Sequence, residues 1–269
     1  MKTVILAAGD GGRLGPHTAQ LPKPLVALNG RPILSYTLEA LAAAGVEDVV
    51  VVTGYREPQL IEALGRALPR RFKLATVTNP RFQGGASLSL RAARDLCGSE
   101  PFLLLMADHL LSAPLVTRLL LESRHGAIRG ISSLAVDAST HDPAYTAEAT
   151  KVQLNDAGFV TAIGKALQPW SALDTGAFVL SPAAWEAVDL APEDCELSVI
   201  FAILARKRAL RAVDVSGAFW YDVDTAEDLA AAATLLSGGH APAPQPAGPR
   251  VPPAPPLRSP VRRYADMNA

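Results

Sequence analysis

Residues 2–15 have the sequence KTVILAAGDGGRLG, in which a short apolar run is followed by four glycines. An apolar run that stops at glycine is typical of a buried strand in a parallel sheet. The glycines let the backbone turn sharply, and successive exposed N–H groups in such a turn form an anion-binding nest. Arg13 adds a guanidinium that suits phosphate. We therefore expect a strand that ends in a phosphate-binding loop.

A second motif, LPKPL (residues 21–25), follows closely. Its two prolines predict an extended segment that presents the Lys23 ammonium with little loss of conformational entropy. The glycine-rich stretch matches neither the P-loop pattern nor the dinucleotide fingerprint G-x-G-x-x-G. By itself it is equally compatible with a plain tight turn. The two motifs together favour a phosphate site that contains Arg13 and Lys23.

Strand and helix patterns alternate through the chain. Periodicity and end signals predict further strands at 48–53, 72–77, 101–108, 128–136, 150–154, 158–163 and 173–180. They predict helices at 32–44, 57–68, 87–96, 182–190, 196–206 and 225–236. Repeated strand–helix units imply a parallel sheet with helices on both faces, and ligands bind such sheets beyond the carboxyl ends of the strands.

Composition separates one folded domain from a tail. The 269 residues are 49% apolar, which suits an α/β domain over residues 1–237. Nine of the 22 prolines fall between Pro242 and Pro260. Such a segment lacks backbone donors and bulky apolar side chains, so we expect residues 238–269 to be a disordered tail, either a plain linker or a docking segment.

Several classes of protein are disfavoured by composition. The longest apolar runs are shorter than the roughly 18 residues of a membrane helix, so we expect no membrane insertion. A net charge of −1 argues against a nucleic-acid binder. Cys97 and Cys195 lie in no metal-binding or disulfide pattern, which favours a reducing compartment. Without a signal-peptide pattern at the amino end, the expected location is the cytoplasm.

At this point a resemblance is evident over residues 1–236: LAAGDGGRLG and LPKPLV are similar to the nucleotidyltransferase signature of the GT-A-like group. The group couples a nucleoside triphosphate to a phosphorylated alcohol or sugar and releases pyrophosphate. The resemblance implies a three-layer α/β/α fold with a mostly parallel, Rossmann-like mixed sheet. Further segments resemble CTP:inositol-1-phosphate cytidylyltransferases, namely MADHLLS (106–112), ATKVQLNDAGFVTAIGK (149–165), LDTGAFVL (173–180) and FWYDVDTAEDL (219–229).

Two acids are expected to hold a metal ion. Joining two phosphates concentrates negative charge, which Mg²⁺ can neutralise while bound to carboxylates. Asp108 ends an apolar strand, where a charge is costly unless it faces a cleft or a metal; a helix cap is the alternative. The resemblance makes Asp108 and Asp222 the ligands. Asp224 lies on the same face of an extended segment as Asp222 and is the alternative, although we prefer a structural role for it beside the following helix.

The resemblance also assigns residues to the two substrates. The implied nucleotide-binding residues are Leu6, Ala7, Ala8, Gly9, Gly11, Gly12, Arg13, Lys23, Gln83, Gly84, Ser87 and Asp108, of which Arg13 and Lys23 are the catalytic pair. The implied acceptor-binding residues are His109, Lys151, Lys165, Asp174, Thr175, Gly176 and Glu196. Simpler roles stay open for three of them: Ser87 as a helix cap, Lys165 as a surface lysine, and Glu196 as a partner of a helix dipole.

The expected partners are therefore CTP and a phosphorylated small alcohol, inositol 1-phosphate, with a homodimer possible and Mg²⁺ as cofactor. The acceptor phosphate is mostly dianionic at neutral pH because its second pKa is about 6, so no general base is needed. Phosphocholine, an aminoalkylphosphonate and a sugar 1-phosphate are the alternative acceptors. A non-catalytic nucleotide-sensing subunit is the alternative outside enzymes, and it predicts loss of residues such as Lys23, which is present.

Overall fold

The structure is a computed structural model that describes residues 1–67, 72–139, 143–237 and 262–263. Its strands are β1 (Lys2–Leu6), β2 (Ala27–Leu28), β3 (Arg31–Pro32), β4 (Asp48–Thr53), β5 (Lys73–Thr78), β6 (Phe102–Met106), β7 (His109–Leu111), β8 (Ser132–Asp137), β9 (Lys151–Leu154), β10 (Val160–Gly164), β11 (Ala172–Leu180), β12 (Leu210–Asp214), β13 (Trp220–Asp222) and β14 (Arg262–Arg263). Its α-helices are α1 (Ile33–Ala43), α2 (Glu57–Ala67), α3 (Ala86–Ala92), α4 (Arg94–Cys97), α5 (Ala113–Ile128), α6 (Pro143–Glu148), α7 (Ala184–Leu190), α8 (Leu197–Arg206) and α9 (Ala226–Ser237).

One mixed sheet runs through the molecule. Its main path has the order β10-β9-β11-β6-β1-β4-β5-β14, and β8 joins it by pairing with β11 and β12. Strands β6, β1, β4 and β5 are parallel to one another. Strand β11 is antiparallel to β6, β8 and β9. The three-layer α/β/α fold with a mostly parallel, mixed sheet is thus confirmed.

Alternate residues of the central strands supply the two halves of the core. In β1, Val4 and Leu6 face one apolar cluster while Ile5 faces the other. In β4, Val50 and Val51 divide in the same way. A strand that is buried on both faces has a continuous apolar sequence, because both sets of alternating side chains lie in the core. For this reason the sequence predicts these strands. The parallel arrangement brings the carboxyl ends of these strands to one edge of the sheet.

Several predicted elements differ from the structure. Helix α5 was not predicted, and the strand expected from residue 128 begins at Ser132, because Ile128 still belongs to α5. The helix predicted over 87–96 is divided at Ala93 into α3 and α4. Strands β12 and β13 were also missed. Each missed strand is short or partly exposed, so its side-chain pattern carries little periodic signal.

The strands predicted at 150–154 and 158–163 form a β-hairpin in the structure. Strands β9 and β10 are antiparallel, and the Asn155 side chain accepts hydrogen bonds from the N–H groups of Ala157 and Phe159. Gly158 takes the left-handed conformation that the turn requires, with φ of 76°.

The predicted disordered tail lies outside the described residues, apart from Arg262–Arg263, which pair in parallel with β5 at Ala75 and Thr76. In the described part of the chain, no helix combines the length and apolar character needed to cross a bilayer.

We expect two leucines of α5 to respond differently to truncation. Leu119 is 0% exposed in the core, whereas Leu121 is 64% exposed. Leu119→Ala removes buried methyl groups and leaves a cavity, so it should lower the free energy of unfolding by about 2–5 kcal/mol. Leu121→Ala should change it by less than about 0.5 kcal/mol. Urea unfolding of both variants measures the difference, and equal effects would contradict the placement of α5.

Candidate active site

A cleft of about 1750 Å³ opens at the carboxyl edge of the parallel strands. The first half of the chain contributes Arg13 and Asp108 to its walls. The second half contributes Lys165, Asp174 and Glu196, and the segment after β13 contributes Asp224. The cleft is therefore built from parts of the chain that are far apart in sequence, at the position where open α/β sheets bind ligands.

The glycine-rich loop reaches one end of the cleft through Arg13. Gly11 has φ of 64°, and a Cβ atom there would lie 2.7 Å from the Cβ of Lys23. Only glycine fits this close approach of the loop to Lys23. The Gly12 N–H donates to a carboxylate oxygen of Asp10 at 3.1 Å, so an amide of the loop already binds an anionic oxygen. The anion-binding role of the loop stays a prediction, and a phosphate at this amide would have to replace the Asp10 carboxylate.

Lys23 lies at the centre of a charged network. Its side chain is almost fully buried, and its Nζ atom lies 2.7 Å from Asp108 Oδ2 and 2.7 Å from Asp224 Oδ1. Burial lowers the pKa of Lys23, but the two carboxylates outweigh this and hold it above its ordinary value. The prediction that Lys23 lies in an extended segment was wrong, because Lys23–Leu25 form a 3₁₀ turn after the extended Pro22.

Asp224 binds two cations at once. Its Oδ2 atom lies 2.8 Å from the Arg13 guanidinium while Oδ1 accepts from Lys23. It does not cap the following helix; that role belongs to Thr225, whose hydroxyl accepts the Asp228 N–H while the Asp228 carboxylate accepts the Thr225 N–H. The sequence placed Asp224 beside the helix start but could not show that it holds both predicted phosphate-binding cations.

The pairing of β7 with β13 brings His109 and Asp222 together as direct partners. His109 Nδ1 lies 2.9 Å from Asp108 Oδ1 and 3.6 Å from Asp222 Oδ1. Burial lowers the pKa of His109, but Asp222 and Asp108 outweigh it and raise this pKa to about 9. The imidazole is therefore positively charged at neutral pH and lies between the two carboxylates.

The two carboxylates differ in their electrostatics. Burial raises the pKa of Asp222 to about 7, because His109 offsets only part of the cost of desolvation. Burial acts on Asp108 in the same direction, but Lys23 and His109 outweigh it and hold the pKa of Asp108 well below its usual range. The two acids titrate as a coupled pair around one imidazolium.

Asp108 and Asp222 fit a hard divalent cation. Together with His109 they offer ligand atoms that all lie within 4.8 Å of one another. Carboxylate oxygens are the ligands that Mg²⁺ prefers, and the open cleft leaves room for phosphate oxygens and water. His109 Nδ1 faces the Asp108 carboxylate at 2.9 Å, so in this arrangement it acts as a counter-charge to that acid. Asp222 belongs to this cluster of potential ligand atoms and Asp224 does not, which favours Asp222 as the second ligand.

Part of the predicted acceptor set lines the cleft, namely His109, Lys165, Asp174, Gly176 and Glu196. Gly176 has φ of 74°, and a Cβ atom there would overlap the His109 ring. The absent side chain therefore makes room for His109, in addition to any ligand. The Gly176 N–H donates to the Asp174 carboxylate at 2.8 Å. Burial nevertheless raises the pKa of Asp174 to about 6.

The side chains of three other predicted residues, Lys151, Thr175 and Ser87, form hydrogen bonds within the protein. The Lys151 side chain is buried and donates to the Ala147 carbonyl at 2.9 Å. Thr175 is buried and donates to the Ala135 carbonyl at 2.9 Å. None of Lys151, Thr175 and Ser87 is among the residues that line the cleft.

Ser87 is a different case, because its neighbours come from the second half of the chain. Its buried hydroxyl donates to the Glu193 carbonyl and accepts the Cys195 N–H. It is neither exposed to the cleft nor a helix cap, since Gly85 occupies the cap position of α3. The sequence carried no signal for this contact, because it joins residues more than 100 positions apart.

The remaining predicted nucleotide-binding residues divide between surface and core. Gln83, Gly84, Gly9 and Gly12 are exposed, whereas Leu6, Ala7 and Ala8 are buried at the end of β1. The Ala7 N–H donates to the Val52 carbonyl, and the Ala8 carbonyl accepts the Tyr55 N–H. These two backbone groups are therefore used inside the protein.

We expect Asp174 to make stability depend on pH. Its folded-state pKa of about 6 lies above the ordinary value, so its contribution is present at low pH and is lost as pH rises through 6. Asp174→Asn keeps an acceptor for the Gly176 N–H without the buried charge. The variant should be more stable than the parent by about 1–2 kcal/mol at pH 8, and by less than half of that at pH 4.5. Urea unfolding with a chelator present measures this, and an effect independent of pH would contradict it.

Known proteins and a family model match this chain over most of its length. A family model with the description "MobA-like NTP transferase domain" matches residues 3–181. The chain is 31% identical over 235 residues to the "Bifunctional IPC transferase and DIPP synthase" of Aquifex aeolicus (strain VF5), covering 87% of this chain and 51% of that protein. It is 35% identical over 240 residues to the protein of the same description from Rubrobacter xylanophilus, again covering 87% and 51%. The chain thus spans about half the length of these curated relatives.

Solved structures show the same fold. The "inositol-1-phosphate CTP transferase from T. maritima" superposes with a TM-score of 0.73 at 22% identity, over 88% of this chain and 96% of that one. A UDP-glucose pyrophosphorylase complexed with UDP-glucose superposes with a TM-score of 0.72 at 17% identity, over 88% and 99%. The matched family covers most of the chain and includes the glycine-rich loop, Lys23 and Asp108. This chain therefore belongs to the MobA-like NTP transferase family and is a nucleotidyltransferase.

Proposed function

We propose that this nucleotidyltransferase joins CTP and inositol 1-phosphate, with Mg²⁺, to give CDP-inositol and pyrophosphate. The observation that carries the proposal is the convergence of the glycine-rich loop, Lys23, Asp108 and Asp222 at one cleft. The choice of substrates is supported by the relatives described as bifunctional IPC transferases, which match 87% of this chain.

The triphosphate is expected at the glycine-rich end of the cleft. Loop amides and the Arg13 guanidinium supply donors for phosphate oxygens there. Arg13 is 61% exposed, so its ion pair with Asp224 is weak and can be exchanged for a phosphate at small cost. Lys23 is buried and held by Asp108 and Asp224, so it supplies a fixed positive charge beside the incoming phosphates.

The reaction needs little covalent help from the protein. A phosphate oxygen of the acceptor attacks the α-phosphorus, and the bond from that phosphorus to the bridging oxygen of the β-phosphate breaks, which releases pyrophosphate. No proton has to move, since the acceptor phosphate is mostly dianionic at neutral pH. The side chains act by position and charge.

Asp108 and Asp222 would hold the Mg²⁺ ion through carboxylate oxygens. When bound, the ion supplies charge neutralisation for the reacting phosphates. Lys23 keeps the Asp108 carboxylate ionised and oriented toward the cleft, and His109 does the same from the other side of that carboxylate. These contacts set the ligand positions before any ion arrives.

The other end of the cleft suits a polyol phosphate. Its walls include the carboxylates of Glu148, Asp174 and Glu196, which can accept hydrogen bonds from several hydroxyl groups. Lys165 supplies a positive charge for the acceptor phosphate. An acidic wall also suits a cationic acceptor, so phosphocholine and aminoethylphosphonate are the acceptors that a test has to exclude.

We expect a pyrophosphate-release screen to select CTP with inositol 1-phosphate. The screen crosses the four common nucleoside triphosphates with inositol 1-phosphate, phosphocholine, aminoethylphosphonate and glucose 1-phosphate, with Mg²⁺ present. The proposed pair should be turned over at least about tenfold faster than any other, which corresponds to about 1.4 kcal/mol of discrimination. Preference for another pair would overturn the proposed substrates, and no turnover with any pair would support a nucleotide-sensing role.

We expect Asp108→Asn to lower turnover at least about a hundredfold, the scale of losing one preorganised charge in an active site. The change keeps the shape of the side chain and removes the charge that binds Lys23 and the metal ion. Glu122→Gln is the matched control, because Glu122 forms only an exposed ion pair with Arg118 on α5. Steady-state pyrophosphate release measures both variants. A rate for Asp108→Asn close to that of the control would exclude Asp108 from the reaction.

A further inference from the structure

Two loops from opposite halves of the chain are joined behind the wall of the cleft. One loop connects β5 to α3 (residues 79–85), and the other connects α7 to α8 (residues 191–196). The Asp194 carboxylate accepts the Gly85 N–H at 2.6 Å. A Cβ atom on Gly85 would overlap the Cys195 backbone, so the two main chains touch directly. Gly85 is therefore required for the approach of these loops.

Ser87 reinforces this junction from the first turn of α3. Its fully buried hydroxyl donates to the Glu193 carbonyl at 2.8 Å and accepts the Cys195 N–H at 2.9 Å. The Ser87 N–H donates to the Cys195 carbonyl at 3.1 Å. With the bond from Gly85 and a bond from the Arg81 guanidinium to the Glu193 carboxylate at 2.7 Å, five hydrogen bonds join residues 81–87 to residues 193–195. Two segments held by several hydrogen bonds cannot shift independently without breaking some of them.

The 79–85 loop extends from this junction to the glycine-rich end of the cleft. Phe82 packs beside Gly54, where a Cβ atom would lie 2.7 Å from Phe82 and 2.8 Å from the Ala8 carbonyl oxygen. The rings of Tyr55 and Phe82 are in contact, with centroids 5.9 Å apart. The Tyr55 N–H in turn donates to the Ala8 carbonyl at 2.8 Å. The loop therefore rests on the residues where the phosphate loop begins.

The 191–196 loop extends in the other direction, to the acceptor end. Its last residue, Glu196, lines the cleft, as do Leu197 and Ser198 at the start of α8. Ala86 lines the cleft from the start of α3, beside the junction. A continuous set of contacts therefore runs from Ala8 through Phe82 and the junction to Glu196.

We propose that Asp194 is a positioning residue that couples the two ends of the cleft, so that a bound nucleotide favours binding of the acceptor and the reverse. The carboxylate holds the 79–85 loop against the start of α8, and a shift of either loop displaces the other. This inference rests on the proposed function only in placing the nucleotide at the glycine-rich end and the acceptor at the α8 end. Reciprocal coupling of this kind is required of any two ligands that bias the same element.

The test compares Asp194→Ala with Asp194→Asn and with Asp189→Ala. Asp194 is half exposed, so neither change at this position disturbs a core. Asparagine keeps an oxygen that can accept the Gly85 N–H, whereas alanine does not. Asp189 lies on α7, and its carboxylate accepts two hydrogen bonds from the Arg94 guanidinium of α4, at 2.5 and 2.9 Å. It forms no hydrogen bond with the 79–85 loop among the described residues. Asp189→Ala therefore controls for the loss of a carboxylate contact that does not involve this loop.

We expect Asp194→Ala to raise the KM of both substrates by about fivefold while kcat changes by less than about twofold. Asp194→Asn and Asp189→Ala should leave both KM values within about twofold of the parent. Steady-state kinetics are measured with the substrate pair that the pyrophosphate-release screen identifies, so a different pair would overturn the proposed substrates without affecting this inference. Thermal unfolding verifies that all three variants are folded.

Three results would overturn the coupling. Unchanged KM values for Asp194→Ala would show that the junction does not position the cleft. A change in only one KM would show that the two ends are independent. An equal change in Asp189→Ala would show that any contact between α7 and the α3–α4 region has the same effect.

Discussion

The active site depends on one buried ion-pair network, in which the ammonium of Lys23 lies 2.7 Å from each of two carboxylates. A charge in this position costs several kcal/mol unless it is paired, so Lys23 requires both Asp108 and Asp224. These three residues come from the segment after the glycine-rich loop, the end of β6 and the start of α9. The network therefore links the amino end of the chain to its second half, and Gly11 is needed so that the loop can approach Lys23.

His109 forms a second charged group with Asp108 and Asp222. This group lies beside the Lys23 network and shares Asp108 with it. His109 is positioned by β7, and the Thr37 hydroxyl donates to its backbone carbonyl from α1. The imidazolium lies between Asp108 and Asp222, and Gly176 leaves the space that its ring occupies. In the absence of ligands, Arg13, Lys23 and His109 are thus each paired with acids at this end of the cleft. If substrate phosphates and a divalent ion bind together, these side chains would exchange their internal ion pairs for contacts with the phosphates and the ion.

Three glycines around the cleft make room for neighbouring groups of the protein. Gly11 and Gly176 adopt positive φ and make room for Lys23 and His109, respectively. Gly85 makes room for the backbone of Cys195. In each case the neighbour that a side chain would meet belongs to the protein. A glycine close to a binding site therefore indicates a close approach, but the sequence does not show whether a ligand or the protein itself is the neighbour.

Much of the fold was predictable because its signals are local. The runs of β1, β4 and β6 are apolar because both faces are buried, and the glycine-rich loop and Lys23 follow β1 closely enough to indicate a phosphate site. Helix α5 was missed although Leu115, Val116 and Leu119 lie in the core, because the half-buried Leu120 and the exposed Leu121 obscure its periodic apolar pattern.

The sequence by itself determined where the apolar runs of the central strands lie along the chain, where the glycine-rich loop lies, and which charged residues are available to the site. Only the tertiary structure decided which of these residues meet. Ser87, Lys151 and Thr175 have side chains suited to binding, yet in the folded protein their polar atoms donate to backbone carbonyl groups. Asp222 and Asp224 are two residues apart, but the pairing of β13 with β7 brings one to His109 while the other reaches Arg13 and Lys23. Such roles depend on contacts between distant segments, and no local pattern of residues records them.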